Sequence, residues 1–214
     1  VAVLTMALTS TYKQLRLGIQ INKKFAFMVS LGASLGGILG NNTFDWLEQT
    51  IGNDRIINQL QIVLTVLTLL FALIYSIAPR WHFKISNFIL LIMIGLFLGW
   101  ISTLLGIGGG PINVALLMLC CNIPIKDATV YSIVTILFSQ ISKITAVATS
   151  GMMWKFDLKT LVFIIPAAAI GGLVGAKFSH VVDASKVELV YRVAIVLVIS
   201  INLFNSYQMS TGIL

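Results

Sequence analysis

The sequence predicts an all-α integral membrane protein, a bundle of spanning helices that glycine breaks at one point. Three observations carry this prediction: the composition, the length of the apolar runs and one glycine cluster. Hydrophobic residues make up 58% of the 214 residues, charged residues 10%, and the mean hydropathy is +0.99. A soluble domain carries roughly 25% charged residues. The composition therefore excludes a soluble protein, and the net charge of +7 indicates basic cytoplasmic loops rather than a nucleic-acid surface.

Apolar runs long enough to cross a bilayer, about 20 residues, recur along the chain. They predict spans at 24–40, 56–78, 86–105, 158–176 and 188–207. Residues 127–148 predict a further span that is more polar than the others. Residues 1–12 resemble the end of another span, and because the chain starts inside this apolar run we expect it to lack its natural start.

One apolar segment, 112–121, is too short to cross. Its ten residues would form a helix of about 15 Å, half the thickness of the hydrocarbon core. It follows the glycine run Gly106-Ile107-Gly108-Gly109-Gly110 and begins after Pro111, a residue well tolerated at the start of a helix. The pattern predicts a glycine-broken half-helix whose N-terminus lies near the middle of the membrane.

Internal similarity predicts two homologous repeats of four helices each. Residues 36–40 match 171–175 at an offset of 135, residues 9–13 resemble 139–143 at an offset of 130, and residues 62–64 match 195–197 at an offset of 133. We therefore divide the chain into a first repeat, 1–80, and a second repeat, 81–214. The first repeat is incomplete, because nothing in it corresponds to the opening helix and the glycine motif of the second.

The basic residues predict an orientation. If the spans alternate and the Pro111 segment is re-entrant, nine Lys and Arg fall on one side and five on the other. Because basic loops stay in the cytoplasm, this count predicts a cytoplasmic C-terminus. It also predicts parallel repeats, related by an axis along the membrane normal. If the Pro111 segment crossed instead, the second repeat would be inverted.

Polar groups at membrane depth define the candidate site. No predicted span has an Asp or Glu near its centre, so a relay of buried carboxylates is not expected. Glycine amides, hydroxyls and carboxamides remain, and the unpaired N–H groups of a half-helix N-terminus attract an anion. The predicted binding residues are Gly108, Gly109, Gly110, Pro111, Asn113, Ser132, Thr135, Ser139 and Gln140. Ser132, Thr135 and Ser139 are spaced to share one helix face.

Packing is the alternative role for several of these residues. The spacing of Gly36 with Gly40, and of Gly171 with Gly175, favours close helix packing. The adjacent Cys120 and Cys121 are interpreted as small hydrophobes, and no metal site or cofactor is predicted. A membrane scaffold or assembly factor, with glycines that serve packing only, therefore remains open beside a transporter. A metal-cation channel is disfavoured because clustered His, Met or buried carboxylates are missing.

A family resemblance supports the transporter. The run 106–114, the following Pro124 and Lys126, the helix 128–142 and the glycine helix 171–175 together resemble the TauE/SafE sulfite exporter family. The resemblance implies two repeats of membrane spans, a multi-pass protein of the bacterial plasma membrane and no enzyme activity. It implies export or uptake of sulfite, sulfonates or related organic anions; the expected partners are this anion, the bilayer and a second copy in a homo-oligomer. Family members commonly have proline at the place of Ala115 and Thr-Ser at that of Tyr131-Ser132, which leaves the substrate within this class open.

Overall fold

The computed structural model describes residues 1–78, 83–106, 109–149 and 160–211, and within these ranges it contains eight helices and no strand. The helices are α1 (Ala2–Arg16), α2 (Lys23–Ile51), α3 (Asp54–Ile77), α4 (Phe88–Leu104), α5 (Gly110–Cys121), α6 (Ile125–Thr149), α7 (Leu161–Val181) and α8 (Ala184–Thr211). Each predicted span corresponds to one of them. The all-α class is therefore confirmed.

Four helices are long and apolar enough to cross a membrane. They are α3, α6, α7 and α8. Helices α4 and α5 are equally apolar but shorter, with 17 and 12 residues. Helix α2 continues past the predicted end of its span at Gly40 for three more turns, through polar residues as far as Ile51. These lengths agree with a membrane protein.

Asparagine begins three of the helices. The side-chain oxygens of Asn22, Asn53 and Asn87 accept hydrogen bonds from backbone N–H groups in the first turns of α2, α3 and α4. Such caps pair donors that the helix itself leaves unpaired. Helix boundaries at these three places are thus encoded locally.

Helices α2 and α4 run parallel and touch backbone to backbone. A Cβ added at Gly36 would overlap the carbonyl of Leu96, and one added at Gly99 would overlap the carbonyl of Ala33. At Gly40 an added Cβ would lie 2.6 Å from the carbonyl oxygen of Trp100. Only small residues permit this approach. The packing role predicted for Gly36 and Gly40 is confirmed.

The described residues do not show the corresponding packing for α7. None of them lies within 4 Å of a Cβ added at Gly171 or at Gly175. The glycine of α7 that packs closely is Gly172, where a Cβ would lie 2.6 Å from the carbonyl oxygen of Met6 in α1. Sequence spacing could not distinguish these residues, because which face of α7 is covered depends on where α1 lies.

Helix α5 returns to the end of the bundle from which α4 starts. The N–H groups of Phe83 and Ile85, just before α4, donate to the carbonyls of Leu119 and Cys120 at 2.7 and 3.1 Å. Helix α6 therefore begins beside the start of α4. We call this end of the bundle the base; α2, α4, α6 and α8 begin there. A re-entrant Pro111 segment, as assumed from the sequence, would put the start of α6 at the end opposite the base. This prediction is wrong, and the parallel relation between the repeats, which depended on it, is wrong as well.

Helix α5 lies inside the bundle. Leu117 is fully buried and packs in one cluster with Val29 of α2, Leu98 of α4, Ala128 of α6 and Val187 of α8. Gly109, which directly precedes α5, is buried as well.

Candidate functional site

The turn into α5 requires glycine at position 109. Gly109 has a φ of 74° and forms the N-cap of α5. An added Cβ would lie 2.6 Å from Ser102 Cβ and 2.9 Å from Asn113 Oδ1. A side chain would thus be strained by the left-handed backbone and would have no space. We call residues 109–113 the elbow.

The N-terminus of α5 lies deep in the protein. Its 12 residues extend about 18 Å from the base into the bundle. Pro111 has no N–H, and the N–H of Asn113 donates to the Gly109 carbonyl at 2.8 Å. The other N–H groups of this first turn belong to Gly110 and Ile112. The positive end of the helix dipole therefore points into the interior.

Asn113 presents a buried carboxamide oxygen without a partner. The residue is 1% exposed, and its Oδ1 accepts no hydrogen bond within the described residues. An unpaired buried polar atom costs about 1–3 kcal/mol. The carboxamide can also turn over, with little change of shape, and then presents its NH₂ group. Asn113 is thus equipped to hydrogen-bond a solute or a water at the elbow.

The three predicted hydroxyls of α6 are all buried, with exposures of 1% for Ser132, 2% for Thr135 and 4% for Ser139. Only Ser132 reaches the elbow, where its hydroxyl donates to the Gly110 carbonyl at 3.3 Å. Thr135 and Ser139 donate to carbonyls of their own helix at 2.8 and 3.1 Å. The Ser132 hydroxyl therefore helps to position the elbow. All three hydroxyls already donate their protons to backbone carbonyls.

Besides Thr135 and Ser139, two more predicted residues are not shown at the elbow. Gly108 is not among the described residues. Gln140 is half-buried on α6, and no contact among the described residues joins it to the elbow. The structure therefore brings together Gly109, Gly110, Pro111, Asn113 and Ser132.

Three residues at or next to the elbow were absent from the predicted set. The hydroxyl of Tyr191 in α8 donates to the Pro111 carbonyl at 2.7 Å. The carboxamide Nε2 of Gln61 in α3 donates to the Leu104 carbonyl at 2.8 Å, at the end of α4. Ser102 lies against Gly109. Each is a polar side chain within an apolar run, a signal that the sequence carries without indicating which helices meet.

The described residues offer no group of three His, Cys, Asp or Glu side chains that could hold a metal ion. Cys121 is buried in the cluster around Leu117, and its neighbour Cys120 packs against that cluster. Polar neutral groups and backbone dipoles are therefore the chemistry that this site provides.

Comparison with known proteins gives one match. The profile of the family described as Sulfite exporter TauE/SafE matches residues 1–203. No curated protein and no solved structure matches the chain.

Proposed function

Because the chain belongs to the Sulfite exporter TauE/SafE family, we propose that it is a membrane permease that binds a small sulfur oxyanion or organosulfonate at the elbow. Families of this kind are membrane transporters, and the long apolar helices α3, α6, α7 and α8 agree with that class. The observation that carries the proposal is the buried Oδ1 of Asn113, which has no partner among the described residues and lies beside the N-terminus of α5; when the carboxamide turns over, this position holds an NH₂ donor.

The elbow suits an anion for electrostatic reasons. A helix N-terminus carries roughly half a positive charge, and in a medium from which water is excluded that charge is weakly screened. Gly110 leaves space, because no described residue lies within 4 Å of a Cβ added there. An oxyanion of sulfite size can therefore approach the amides of Gly110 and Ile112, while the Asn113 carboxamide donates from the side.

A site made of neutral donors also suits transport. Binding must be favourable enough for the solute to enter and weak enough for it to leave. A Lys or Arg at the elbow would hold the anion more tightly, and the described contacts around Asn113 include neither. We therefore propose moderate affinity and selectivity by size and hydrogen bonding.

Reconstitution tests the proposal directly. Proteoliposomes containing the full-length product of the gene are loaded with labelled sulfite, sulfate or taurine, and solute flux is measured for the wild type, Gly110→Leu and Val174→Leu. Gly110→Leu fills the open space at the elbow and is expected to reduce flux at least several-fold. Val174, 62% exposed on α7, provides the control for an added methylene on the outer surface.

The same flux measurements also test the scaffold alternative. Equal flux for Gly110→Leu and the wild type would show that the elbow is not the site. No flux of any of the three anions in correctly folded wild type would favour a scaffold whose glycines serve packing only.

A further inference from the structure

We propose that an anionic phospholipid binds in an open groove between α1 and α2, with one acyl chain along the groove and the headgroup at the base. The groove encloses a volume of about 550 Å³. None of the residues that line it belongs to the candidate anion site at the elbow. The proposal therefore goes beyond the proposed function and does not depend on transport.

Helices α1 and α2 form the two walls of the groove, and α6 forms its floor. Both wall helices pack on α6, but in the described part of the chain they make almost no contact with each other. Val134 and Phe138, one turn apart on α6, line the floor. The connection from α1 to α2 contributes Ile19, Gln20 and Ile21, which close the groove at the base.

The length of the groove is close to the thickness of one leaflet of a bilayer. Phe138 lies about 20 Å along α6 from the start of this helix at Ile125. One leaflet contributes about 15 Å of hydrocarbon, half of the membrane core. An acyl chain that enters beside the base can therefore extend along the groove as far as Phe138.

The lining of the groove is mostly apolar. Leu15, Phe27 and Phe138 line it and are 57%, 54% and 40% exposed. Large apolar side chains grouped on an exposed surface mark a contact with lipid or with another protein. The groove therefore offers hydrocarbon contacts on both walls and on the floor.

The mouth of the groove at the base is basic. Lys23 lines the groove itself, and Lys13, Arg16 and Lys24 lie at the same end of α1 and α2. The chain has no Asp or Glu before Asp45. Among the described residues, no carboxylate forms an ion pair with any of these four basic side chains. Their charges are therefore available to a phosphate group.

Charge decides which occupant fits best. Each Lys or Arg near an anionic membrane surface strengthens binding several-fold, whereas a zwitterionic lipid gains no such net attraction. Asp127 lines a neighbouring pocket together with Lys126, which offsets its charge. A second copy of this chain fits less well, because a symmetric contact along the groove would bring two basic mouths together. An anionic lipid satisfies both the apolar groove and its basic mouth.

Photo-cross-linking in vesicles tests the proposal. The full-length product of the gene is reconstituted in phosphatidylcholine vesicles with a small fraction of a lipid whose acyl chain carries a diazirine. This lipid is phosphatidylglycerol in one sample and phosphatidylcholine, with the same chain and at the same fraction, in the other. After illumination, labelled residues are identified by mass spectrometry of peptides. We expect several-fold more labelling of residues 11–27 and 134–138 by phosphatidylglycerol than by phosphatidylcholine.

Variants of Lys23 separate the groove from the general charge of the base. Lys23→Gln should lower phosphatidylglycerol labelling in the groove several-fold and leave phosphatidylcholine labelling unchanged, and Lys23→Arg should retain the preference. Lys186→Gln is the matched control, because it removes one exposed positive charge from the same end of the bundle but lies on α8, outside the groove.

Three results would overturn the proposal. Equal labelling by the two lipids would mean that the groove holds ordinary bilayer lipid. An equal loss for Lys23→Gln and Lys186→Gln would mean that only the overall surface charge attracts the lipid. Label elsewhere on the protein but not in the groove would mean that protein covers the groove. The measurement requires no transport, so its failure is separate from failure of the permease assay.

Discussion

At the scale of single residues, Gly109 and Asn113 of the elbow are explained by different causes. Glycine is required at position 109 because of the limited space and the left-handed backbone there, and both are properties of the fold. Asparagine at position 113 has no such cause in the fold, which buries its carboxamide and leaves the oxygen unpaired, at a cost in stability. A residue that is unfavourable for folding at this place is best explained by binding.

We expect Asn113→Leu to raise stability and lower transport. Leucine has nearly the shape of asparagine, and it removes an unpaired buried oxygen, so the free energy of unfolding should rise by about 1 kcal/mol. Gln14→Leu is the control, because Gln14 is equally buried and unpartnered but lies near the base end of α1. Thermal unfolding in detergent and anion flux are measured for both variants. A loss of flux in both, or in neither, would contradict a binding role for Asn113.

We expect Gly109→Ala to destabilise the protein more than Gly52→Ala. Both glycines have positive φ, 74° and 60°, so both alanines pay for left-handed backbone, about 1–2 kcal/mol. Only Gly109 also lacks space, because its Cβ would press against Ser102. The additional destabilisation should be about 1–3 kcal/mol, as for overpacking in a core. Equal stability of the two variants in a denaturant titration would mean that Ser102 moves aside at no cost.

At the scale of elements, α2 and α7 carry related glycine stripes with different neighbours. The stripe of α2 is in backbone contact with α4, and the stripe of α7 faces open space. The same local pattern therefore has a packing role in one helix and no partner within the described chain in the other.

We expect Gly36→Ala to destabilise residues 1–214 and Gly171→Ala to leave them unchanged. The alanine methyl at position 36 would overlap the Leu96 carbonyl and force α2 and α4 apart, at a cost of about 1–3 kcal/mol. Position 171, related to 36 by the offset of 135, is the matched control. Melting temperatures in detergent compare the two. If Gly171→Ala were as harmful as Gly36→Ala, the α7 face would already be covered in this chain.

At the scale of the whole molecule, the helix directions put the end of α8 opposite the base, whereas the sequence predicted the C-terminus on the same side as residues 13–24. The described basic residues divide nine to two between the base and the opposite end. The nine are Lys13, Arg16, Lys23, Lys24, Lys84, Lys126, Lys177, Lys186 and Arg192; the two are Arg55 and Lys143. For the same eleven residues, the arrangement with a re-entrant Pro111 segment divides them six to five, so the asymmetry in the structure is stronger. We therefore propose that the base faces the cytoplasm and that the end of α8 faces outward.

A reporter fused after Leu214 tests this orientation. Alkaline phosphatase, active only outside the cytoplasm, should be active there, and a fluorescent reporter that folds only inside should be dark. A second fusion after Gly18, at the base, should give the opposite result. Two identical results, or the reverse pair, would contradict either the helix directions or the assignment of the base to the cytoplasm.

The sequence by itself determined the membrane class and the number and approximate bounds of the helices, including the short apolar helix α5. These depend on hydrophobicity, on helix length and on local residues such as Pro111 and the capping asparagines, all of which act within a few residues. It also determined most of the elbow, because Gly109 to Asn113 are contiguous in the chain.

Only the tertiary structure decided the direction in which α6 leaves, and with it the relation between the halves. A segment as short as α5 can either turn back or continue, and its own residues do not distinguish these paths; the hydrogen bonds of Phe83 and Ile85 with its far end do. The same holds for Tyr191, which reaches the elbow from α8, for Gln61, which reaches the end of α4 from α3, and for Gly172 in place of Gly171. Which face of a helix is covered depends on its neighbours, and neighbours distant in sequence meet only when the bundle is assembled.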